Sequence, residues 1–138
     1  MTVFVDTSAI YAGLDSGDTN HLKAAHRWHY LVSGGFGLVT TNYVVVETCA
    51  LLQRRLGLHA LRTFRDDFIP LLDVKWVGPS QHAVAMNSLL SANRRNLSLV
   101  DSASFTIMRE FGIHSTFAFD KHFDEEGFDT VSWANPAT

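Results

Sequence analysis

Short, uninterrupted apolar runs, each next to a segment with helical spacing, constrain the fold of this chain more than any other feature. The clearest runs are Val3-Phe4-Val5 and Phe117-Ala118-Phe119. A strand that is apolar on both faces is buried on both faces, which is typical of parallel sheets covered by helices. The pattern therefore predicts an α/β fold, arranged as a three-layer α/β/α sandwich around a central, mainly parallel sheet of about five strands.

The element boundaries follow from the same pattern and from residues that begin or end helices. Gly57 and Gly112 each stand directly after a helical segment, where a left-handed residue commonly ends a helix. Ser80 and Ser98 precede helical segments as capping residues. The predicted strands are residues 2–5, 37–40, 74–77, 113–119 and 130–133, and the predicted helices are residues 7–14, about 19–32, 43–56, 58–68 and 99–111, with one more beginning at Ser80.

The second predicted helix has an inner face that can be inferred from its spacing. Residues three and four apart lie on the same side of a helix. This spacing predicts that the buried face consists of Leu22, Ala25, His26, and His29 or Tyr30.

The bulk composition indicates one domain. With 138 residues, 46% of them apolar, the chain can build one real core, and we expect a single domain over residues 1–134 with a short tail over residues 135–138. Its apolar runs are shorter than the roughly 18 residues of a membrane helix. No secretory leader is recognisable, and Cys49 has no second cysteine to pair with, so a soluble protein of the reducing cytoplasm is expected.

Two acids follow buried strands directly. Asp6 comes after Val3-Phe4-Val5, and Asp120 comes after Phe117-Ala118-Phe119. The carboxyl ends of parallel strands form the edge at which α/β sheets bind ligands. Each acid taken alone is better explained as the cap of the next helix.

Glu47 and Asp101 occupy positions that are costly for a carboxylate. Glu47 lies within Val44–Leu52, a helix apolar nearly all round, and such a helix is normally buried. A buried carboxylate must be paired or bind metal, so the structural alternative is a salt bridge to Arg54 or another arginine. Asp101 completes a plausible capping box with Ser98. Its apolar neighbours would bury the start of this helix, so the Asp101 side chain is expected to point into a protected crevice. Four such acids on successive elements favour a cluster.

Five segments, in this order along nearly the whole chain, resemble the PIN-domain ribonucleases and, among them, the VapC-type toxins of bacterial and archaeal toxin–antitoxin pairs. The segments are Val5-Asp6-Thr7-Ser8-Ala9, Asp18-x-x-His21, Thr41-Asn42-Tyr43-Val44-Val45-Val46-Glu47-Thr48, Leu97-Ser98-Leu99-Val100-Asp101-Ser102 and Phe117-Ala118-Phe119-Asp120-Lys121-His122-Phe123. The resemblance implies a PIN domain in which the first and fourth strands are adjacent at the centre of the sheet. Asp6 and Asp120 would then meet, and Asp101 and Glu47 would complete the pocket.

The same resemblance implies an activity and partners. Such proteins bind magnesium or manganese in this pocket and cleave RNA, many form homodimers, and a small antitoxin protein inserts its tail into the active-site groove. Mg²⁺ or Mn²⁺ suits an all-oxygen ligand set. We assign Asp6 and Asp101 as direct ligands, with Glu47 and Asp120 completing the shell directly or through water, and leave open whether one ion or two is bound. The net charge of −3 argues weakly against an RNA partner, but cations bound by these acids would offset it.

Residues around the predicted pocket have less definite roles. Thr7 and Ser8 either orient carboxylates or cap the helix, and Lys121 and His122 either meet phosphate or are ordinary surface residues. Asp124 and Glu125 are predicted to lie in a solvated turn. Four arginines either contact the RNA backbone, contact an antitoxin or form a solvated face; they are Arg54, Arg55, Arg62 and Arg65. Two histidines, His21 and His26, are predicted to pack against neighbouring residues.

Other functional classes fit the sequence poorly. A phosphorelay receiver domain needs a pair of acids near the first strand and a phosphoaccepting aspartate after a middle strand, but residues 74–77 are followed by Gly78-Pro79. A haloacid-dehalogenase-like phosphatase needs Asp-x-Asp, and the chain has Asp6-Thr7-Ser8. The remaining alternative is a catalytically inactive PIN-fold protein with a nucleic-acid-binding or structural role.

Overall fold

A parallel sheet forms the centre of the molecule in the computed structural model, which describes residues 1–134. Its four strands are β1 (Thr2–Val5), β2 (Gly37–Thr41), β3 (Asp73–Lys75) and β4 (Ser115–Phe117). The α-helices are α1 (Thr7–Leu14), α2 (His21–Ser33), α3 (Asn42–Arg55), α4 (Leu58–Thr63), α5 (Pro79–Ala92), α6 (Leu99–Glu110) and α7 (His122–Glu125). A π-helical turn (Phe64–Phe68) and a 3-10 turn (Ile69–Leu71) follow α4.

The strand order is β3-β2-β1-β4, and every pairing is parallel. The predicted adjacency of the first and fourth strands is confirmed, since Val5 pairs with Phe117. β4 stands at the end of the sheet and has on its outer side one isolated parallel bridge, between Ser115 and Asp129.

The sheet separates two apolar cores, which confirms the three-layer arrangement. Val3 and Val5 of β1 lie in one buried cluster with residues of α1 and α2, whereas Phe4 lies in the other with residues of α5 and α6. All three side chains are fully buried, and burial of each contributes roughly 1.5–3 kcal/mol. The continuous apolar run in β1 therefore reflects helices on both faces of the sheet. No helix of residues 1–134 combines the length and the hydropathy that crossing a bilayer demands.

The predicted fifth strand, residues 130–133, is wrong. The Asp129 carboxylate accepts hydrogen bonds from the backbone N–H groups of Val131 at 3.1 Å and Ser132 at 2.9 Å. These hydrogen bonds from the backbone to the Asp129 side chain form a turn, whereas a strand would need an extended backbone here. The segment still packs on the sheet, because the Trp133 indole donates a hydrogen bond to the Thr116 carbonyl at 3.0 Å. The predicted tail, residues 135–138, lies outside the described residues.

The predicted inner face of α2 is also wrong. Leu22 is 74% exposed, and His26 and His29 are not buried, whereas Ala24 and Leu31 are fully buried. A second set of residues at helical spacing, centred on Trp28, faces the core, and the Trp28 ring stacks on Phe68 with 4.6 Å between ring centroids. Taking Leu22 as the first inward residue places the predicted face on the wrong side of the helix.

Some boundaries near β3 shift by a few residues. β3 ends at Lys75 because the Asn42 side chain accepts a hydrogen bond from the Val77 N–H at 2.6 Å. Ser80 is not the cap of α5, because the helix begins at Pro79, whose missing N–H and fixed φ suit the first helical position. Gly57, between α3 and α4, has the positive φ of 92° that a glycine allows, but its ψ of −175° is extended, so the predicted left-handed helical cap is wrong.

Candidate active site

Asp6 is buried at the carboxyl end of β1. Its side chain is 3% exposed, and its backbone N–H donates to the Phe117 carbonyl at 3.0 Å. The carboxylate caps α1, accepting hydrogen bonds from the Ser8 N–H at 3.1 Å and the Ser8 hydroxyl at 2.6 Å. Burial nevertheless raises the pKa of Asp6 to about 7, against the opposing effect of Ser8. The capping role is confirmed, yet it leaves a carboxylate that is costly to ionise.

Asp101 is held at the start of α6 by the predicted capping box. The Ser98 hydroxyl accepts from the Asp101 N–H at 3.0 Å, and an Asp101 carboxylate oxygen accepts from the Ser98 N–H at 3.4 Å. Asp101 is 8% exposed. Burial, and then the nearby charge of Asp120, raise the pKa of Asp101 above its ordinary value, although Ser98 opposes both. The helix cap therefore orients Asp101 without neutralising its charge.

Asp120 follows β4, and its carboxylate is partly exposed. One carboxylate oxygen accepts a hydrogen bond from the His122 backbone N–H at 3.0 Å, which holds the side chain in a tight turn before α7. The same oxygen lies 3.9 Å from His122 Nε2. Asp120 is thus oriented by the residues that follow it in the chain.

Glu47 lies on a face of α3 that is only half-buried. The expectation that α3 is buried all round is wrong, because Val46 is 68% exposed and the inward face of the helix consists of Val44, Thr48 and Leu52. Burial is still the main cause of the raised pKa of Glu47, and the charges of Asp101 and Asp120 add to it.

The four carboxylates lie near one another around the predicted pocket at the carboxyl edge of the sheet. Among residues 1–134 the tightest group holds two of them, Asp101 and Asp120, and does not include Asp6 or Glu47. The charges of Asp101 and Glu47 raise the pKa of Asp6, and the charges of Asp101 and Asp120 raise that of Glu47. Potential ligand atoms of Asp101, Asp120 and His122 all lie within 4.8 Å of one another. Within residues 1–134, no lysine or arginine nitrogen comes within 4.0 Å of these four carboxylates, so the alternative of a Glu47–Arg54 salt bridge is wrong.

His122 is part of this pocket and not an ordinary surface residue. It is 7% exposed, and Arg94 Nη2 lies 3.1 Å from its Nδ1. A guanidinium can only donate, so Nδ1 is the acceptor of this contact, and Nε2 is the ring nitrogen on the side of Asp120. The position of this histidine two residues after Asp120, in front of the buried Phe123, was a signal that the sequence offered. Lys121, by contrast, is exposed.

Other residues near the pocket have structural partners. Asp124 accepts a hydrogen bond from Thr130 at 2.6 Å, and Glu125 pairs with Arg94 at 2.6 Å; both acids are exposed, as predicted, but they lie in α7 and not in a turn. The Thr7 hydroxyl lies 2.9 Å from that of Thr48.

The histidines and arginines outside the pocket contact neighbours or solvent. His21 Nδ1 lies 2.9 Å from the Ala12 carbonyl, which confirms that it packs against a neighbour, whereas His26 is exposed, contrary to prediction. The four arginines of α3, α4 and the π-helical turn lie at the surface, and one of them pairs with Asp66 at 2.7 Å; they are Arg54, Arg55, Arg62 and Arg65.

A parallel sheet with acidic side chains gathered at its carboxyl edge is the arrangement of a PIN domain, and the PIN-domain family profile matches residues 3–128. The chain belongs to the PIN-domain family. It is 34% identical over 130 residues to a protein of Mycobacterium tuberculosis named 23S rRNA-specific endonuclease VapC20, found in strains CDC 1551 and H37Rv, and the match covers 94% of this chain and 97% of the relative. The crystal structure of Mycobacterium tuberculosis VapC20, described as a Sarcin-Ricin loop cleaving toxin, superposes with a TM-score of 0.84 at 34% identity, over 94% of this chain and 98% of that one.

Proposed function

We propose that this protein is a VapC-type ribonuclease toxin that hydrolyses RNA phosphodiester bonds with Mg²⁺ or Mn²⁺ held by Asp6, Glu47, Asp101 and Asp120. The observation that supports the proposal is the close approach of Asp101 and Asp120, with Asp6 and Glu47 near enough for the charges to raise one another's pKa values and no lysine or arginine partner for any of the four within residues 1–134. Like charges this close repel strongly in a poorly solvated pocket. Divalent cations relieve that repulsion, and the raised pKa values of Asp6, Glu47 and Asp101 reflect first the burial of the carboxylates and then the repulsion between them.

The residues present fit a magnesium or manganese ion. All four side chains offer carboxylate oxygens, the ligands that these hard cations prefer. An ion held by these residues would supply Lewis-acid activation of the attacking water and positive charge opposite the phosphate. We assign Asp6 and Asp101 as direct ligands, and Glu47 and Asp120 as ligands directly or through water.

The neighbouring side chains hold these carboxylates in place. Ser8 fixes Asp6, and Ser98 fixes Asp101, each by hydrogen bonds that leave other lone pairs of the carboxylate free. His122 holds Asp120 through its backbone N–H, and its ring nitrogen Nε2 lies 3.9 Å from the same carboxylate oxygen. We therefore place His122 beside the ion site as a positioning residue for Asp120.

The substrate class follows from the family and from the named relative. VapC20 is described as specific for 23S rRNA, so we propose ribosomal RNA as the first RNA to test. We further propose that residues 1–134 form a single PIN domain, that the protein is cytoplasmic and forms a homodimer, and that a small antitoxin protein inhibits it. The endonuclease name of the relative supports the ribonuclease over an inactive PIN-fold protein that only binds nucleic acid or serves as a scaffold.

Metal-dependent turnover of RNA separates these two possibilities. Purified protein is incubated with bacterial ribosomes in Mg²⁺, in Mn²⁺ and in EDTA, and the RNA ends are mapped. We expect defined cuts that require the cation and that disappear in Asp6→Asn. In parallel, expression of the wild type should arrest bacterial growth and Asp6→Asn should not. Equal growth of the two strains, together with intact RNA in vitro, would favour the inactive alternative.

A further inference from the structure

An apolar groove with an exposed tryptophan lies directly beside the carboxylates. The groove has a volume of about 460 Å³, within the range of pockets that hold small ligands. Glu47 and Asn42 stand at its border, and we call it the aromatic groove; its other lining residues are Tyr43, Val46, Trp76, His82, Leu99 and Val100. It is continuous with the proposed active site, because Glu47 belongs to both and Val100 immediately precedes Asp101.

Trp76 is exposed, yet its place in the chain is fixed. The indole is 74% exposed. The Asn42 side chain holds the N–H of Val77, the next residue, at 2.6 Å, which ties this segment to the start of α3. An indole exposed to water lacks the free energy that its burial would contribute. An exposed tryptophan on a well-anchored segment is therefore suited to stack on an aromatic ring of a bound ligand.

The opposite side of the aromatic groove is also ordered. The Tyr43 hydroxyl hydrogen-bonds to His82 Nδ1, and the two rings meet edge to face with centroids 5.9 Å apart. This contact joins α3 to α5 and leaves a polar edge within an otherwise apolar lining. The groove contains no lysine or arginine among the described residues, so it offers stacking and apolar contact but no ion pair to a phosphate.

We propose that the aromatic groove binds the nucleobase next to the scissile phosphate of single-stranded RNA, stacked on Trp76. This inference rests on the proposed function, because it assumes that a phosphodiester lies at the four carboxylates. Because Glu47 and Val100 line the groove beside the carboxylates, the nucleotide next to a phosphate held there is within reach of it. An unpaired base has a π-face that stacks on an aromatic side chain. The phosphate is then bound at the carboxylates and the base in the groove.

Kinetics on a mapped substrate test the proposal. An RNA oligonucleotide carrying the cleavage site mapped in ribosomal RNA is cut by the wild type, Trp76→Ala, Trp76→Phe and Phe111→Ala. Phe111 is the matched control, because it is an aromatic side chain 49% exposed beside Met1 and Thr2, at the opposite edge of the sheet. Loss of one stacked base should raise KM about 5- to 100-fold in Trp76→Ala with kcat within about threefold, whereas Trp76→Phe and Phe111→Ala should stay close to wild type.

A base-free substrate identifies which ring Trp76 contacts. Oligonucleotides with an abasic nucleotide on either side of the cut are compared in the wild type and in Trp76→Ala. At the stacked position the two changes should not be additive, because both remove the same contact. Additive losses at both positions, or an unchanged KM in Trp76→Ala, would overturn the proposal while leaving the ribonuclease assignment intact.

A binding measurement keeps the two proposals distinguishable if no RNA is cut. An RNA decamer containing 2-aminopurine is titrated with the full chain in Mg²⁺, and stacking on the indole should quench its fluorescence in the wild type and Phe111→Ala but not in Trp76→Ala. If no RNA is cut but this quenching is observed, the proposed ribonuclease function is wrong and the proposal that the aromatic groove binds a base is supported. Absence of Trp76-dependent quenching, or a change in oligomeric state as the sole effect of Trp76→Ala, would show that the groove does not bind a base.

Discussion

The Ser8 hydroxyl donates a hydrogen bond to the Asp6 carboxylate at 2.6 Å. The Ser8 Oγ also accepts a hydrogen bond from the Phe119 N–H at 2.9 Å. One hydroxyl therefore connects the acid that follows β1 to the segment that follows β4 and leads to Asp120. The placement of Asp6 relative to Asp120 therefore depends on Ser8, a residue of α1 that belongs to neither strand.

Ser8→Ala tests this link. Removal of the hydroxyl should lower the cleavage rate by about 10- to 100-fold, the effect typical of losing a group that orients a metal ligand, and should increase the Mg²⁺ concentration needed for half-maximal activity. Ser8→Thr keeps a hydroxyl and should recover much of the loss. Cleavage assays across a Mg²⁺ series measure both quantities. Wild-type rates and Mg²⁺ dependence in Ser8→Ala would show that the link is dispensable.

Asp101→Asn separates the catalytic role of Asp101 from its capping role. The amide oxygen can still accept from the Ser98 N–H, so the capping box survives, but a negative charge leaves the pocket. Cleavage should be abolished, whereas urea unfolding in EDTA should show a free energy of unfolding equal to or above that of the wild type. A variant that keeps full Mg²⁺-dependent activity would contradict the assignment of Asp101 as a ligand.

The raised pKa of Asp6 predicts how the metal-free protein responds to pH. Because the folded state binds the proton more tightly than the unfolded chain, the contribution of Asp6 to stability is complete below pH 3.8 and is lost as pH rises through about 7. The full difference corresponds to at most roughly 4 kcal/mol. Asp6→Asn carries no titrating group and should lack this part of the decline.

Urea unfolding at a series of pH values in EDTA measures the decline. In the wild type, Mg²⁺ should restore stability most strongly at and above pH 7, where the ionised carboxylates bind it. A parallel decline in the wild type and in Asp6→Asn would mean that Asp6 ionises normally in the folded state.

Arg94→Met tests the contact that sets the orientation of His122. Without Arg94, the His122 ring loses the donor on Nδ1, and its Nε2 is no longer directed toward Asp120. We expect roughly a 10-fold fall in cleavage rate, as for other residues that orient a ligand. Arg95→Met is the matched control, because Arg95 is the next residue and is exposed. Equal effects of the two variants would indicate a general loss of positive charge near the RNA.

The sequence predicted the part of the fold that rests on continuous apolar runs. Val3-Phe4-Val5 identifies a doubly buried strand, because a short run that is apolar at every position needs cover on both faces of the sheet. The capping box of Ser98 and Asp101 was predictable because its chemistry is local to four consecutive residues. Two residues of the candidate site, Asp6 and Asp120, were found because they stand directly after such runs, and Glu47 and Asp101 because a carboxylate is costly among apolar neighbours.

Features that depend on competing local contacts were not predictable. Residues 130–133 have a strand-like composition, but the side chain of Asp129 captures the N–H groups that a strand would need. The face of α2 has two solutions of similar spacing, and the position of Phe68 decides between them. The burial of His122 depends on Arg94, 28 residues away in the chain, a contact that spacing alone cannot predict.

The pairing of β1 with β4 has a consequence for synthesis. The Thr116 hydroxyl donates to the Phe4 carbonyl at 3.0 Å across 112 positions of the chain, so the strand that carries Asp6 gains this neighbour only after nearly the whole domain has left the ribosome. Closure over such a separation is slow compared with helix formation. A nascent chain therefore lacks the pairing that brings Asp6 toward Asp120 until synthesis of the domain is nearly finished, and the candidate site is completed last.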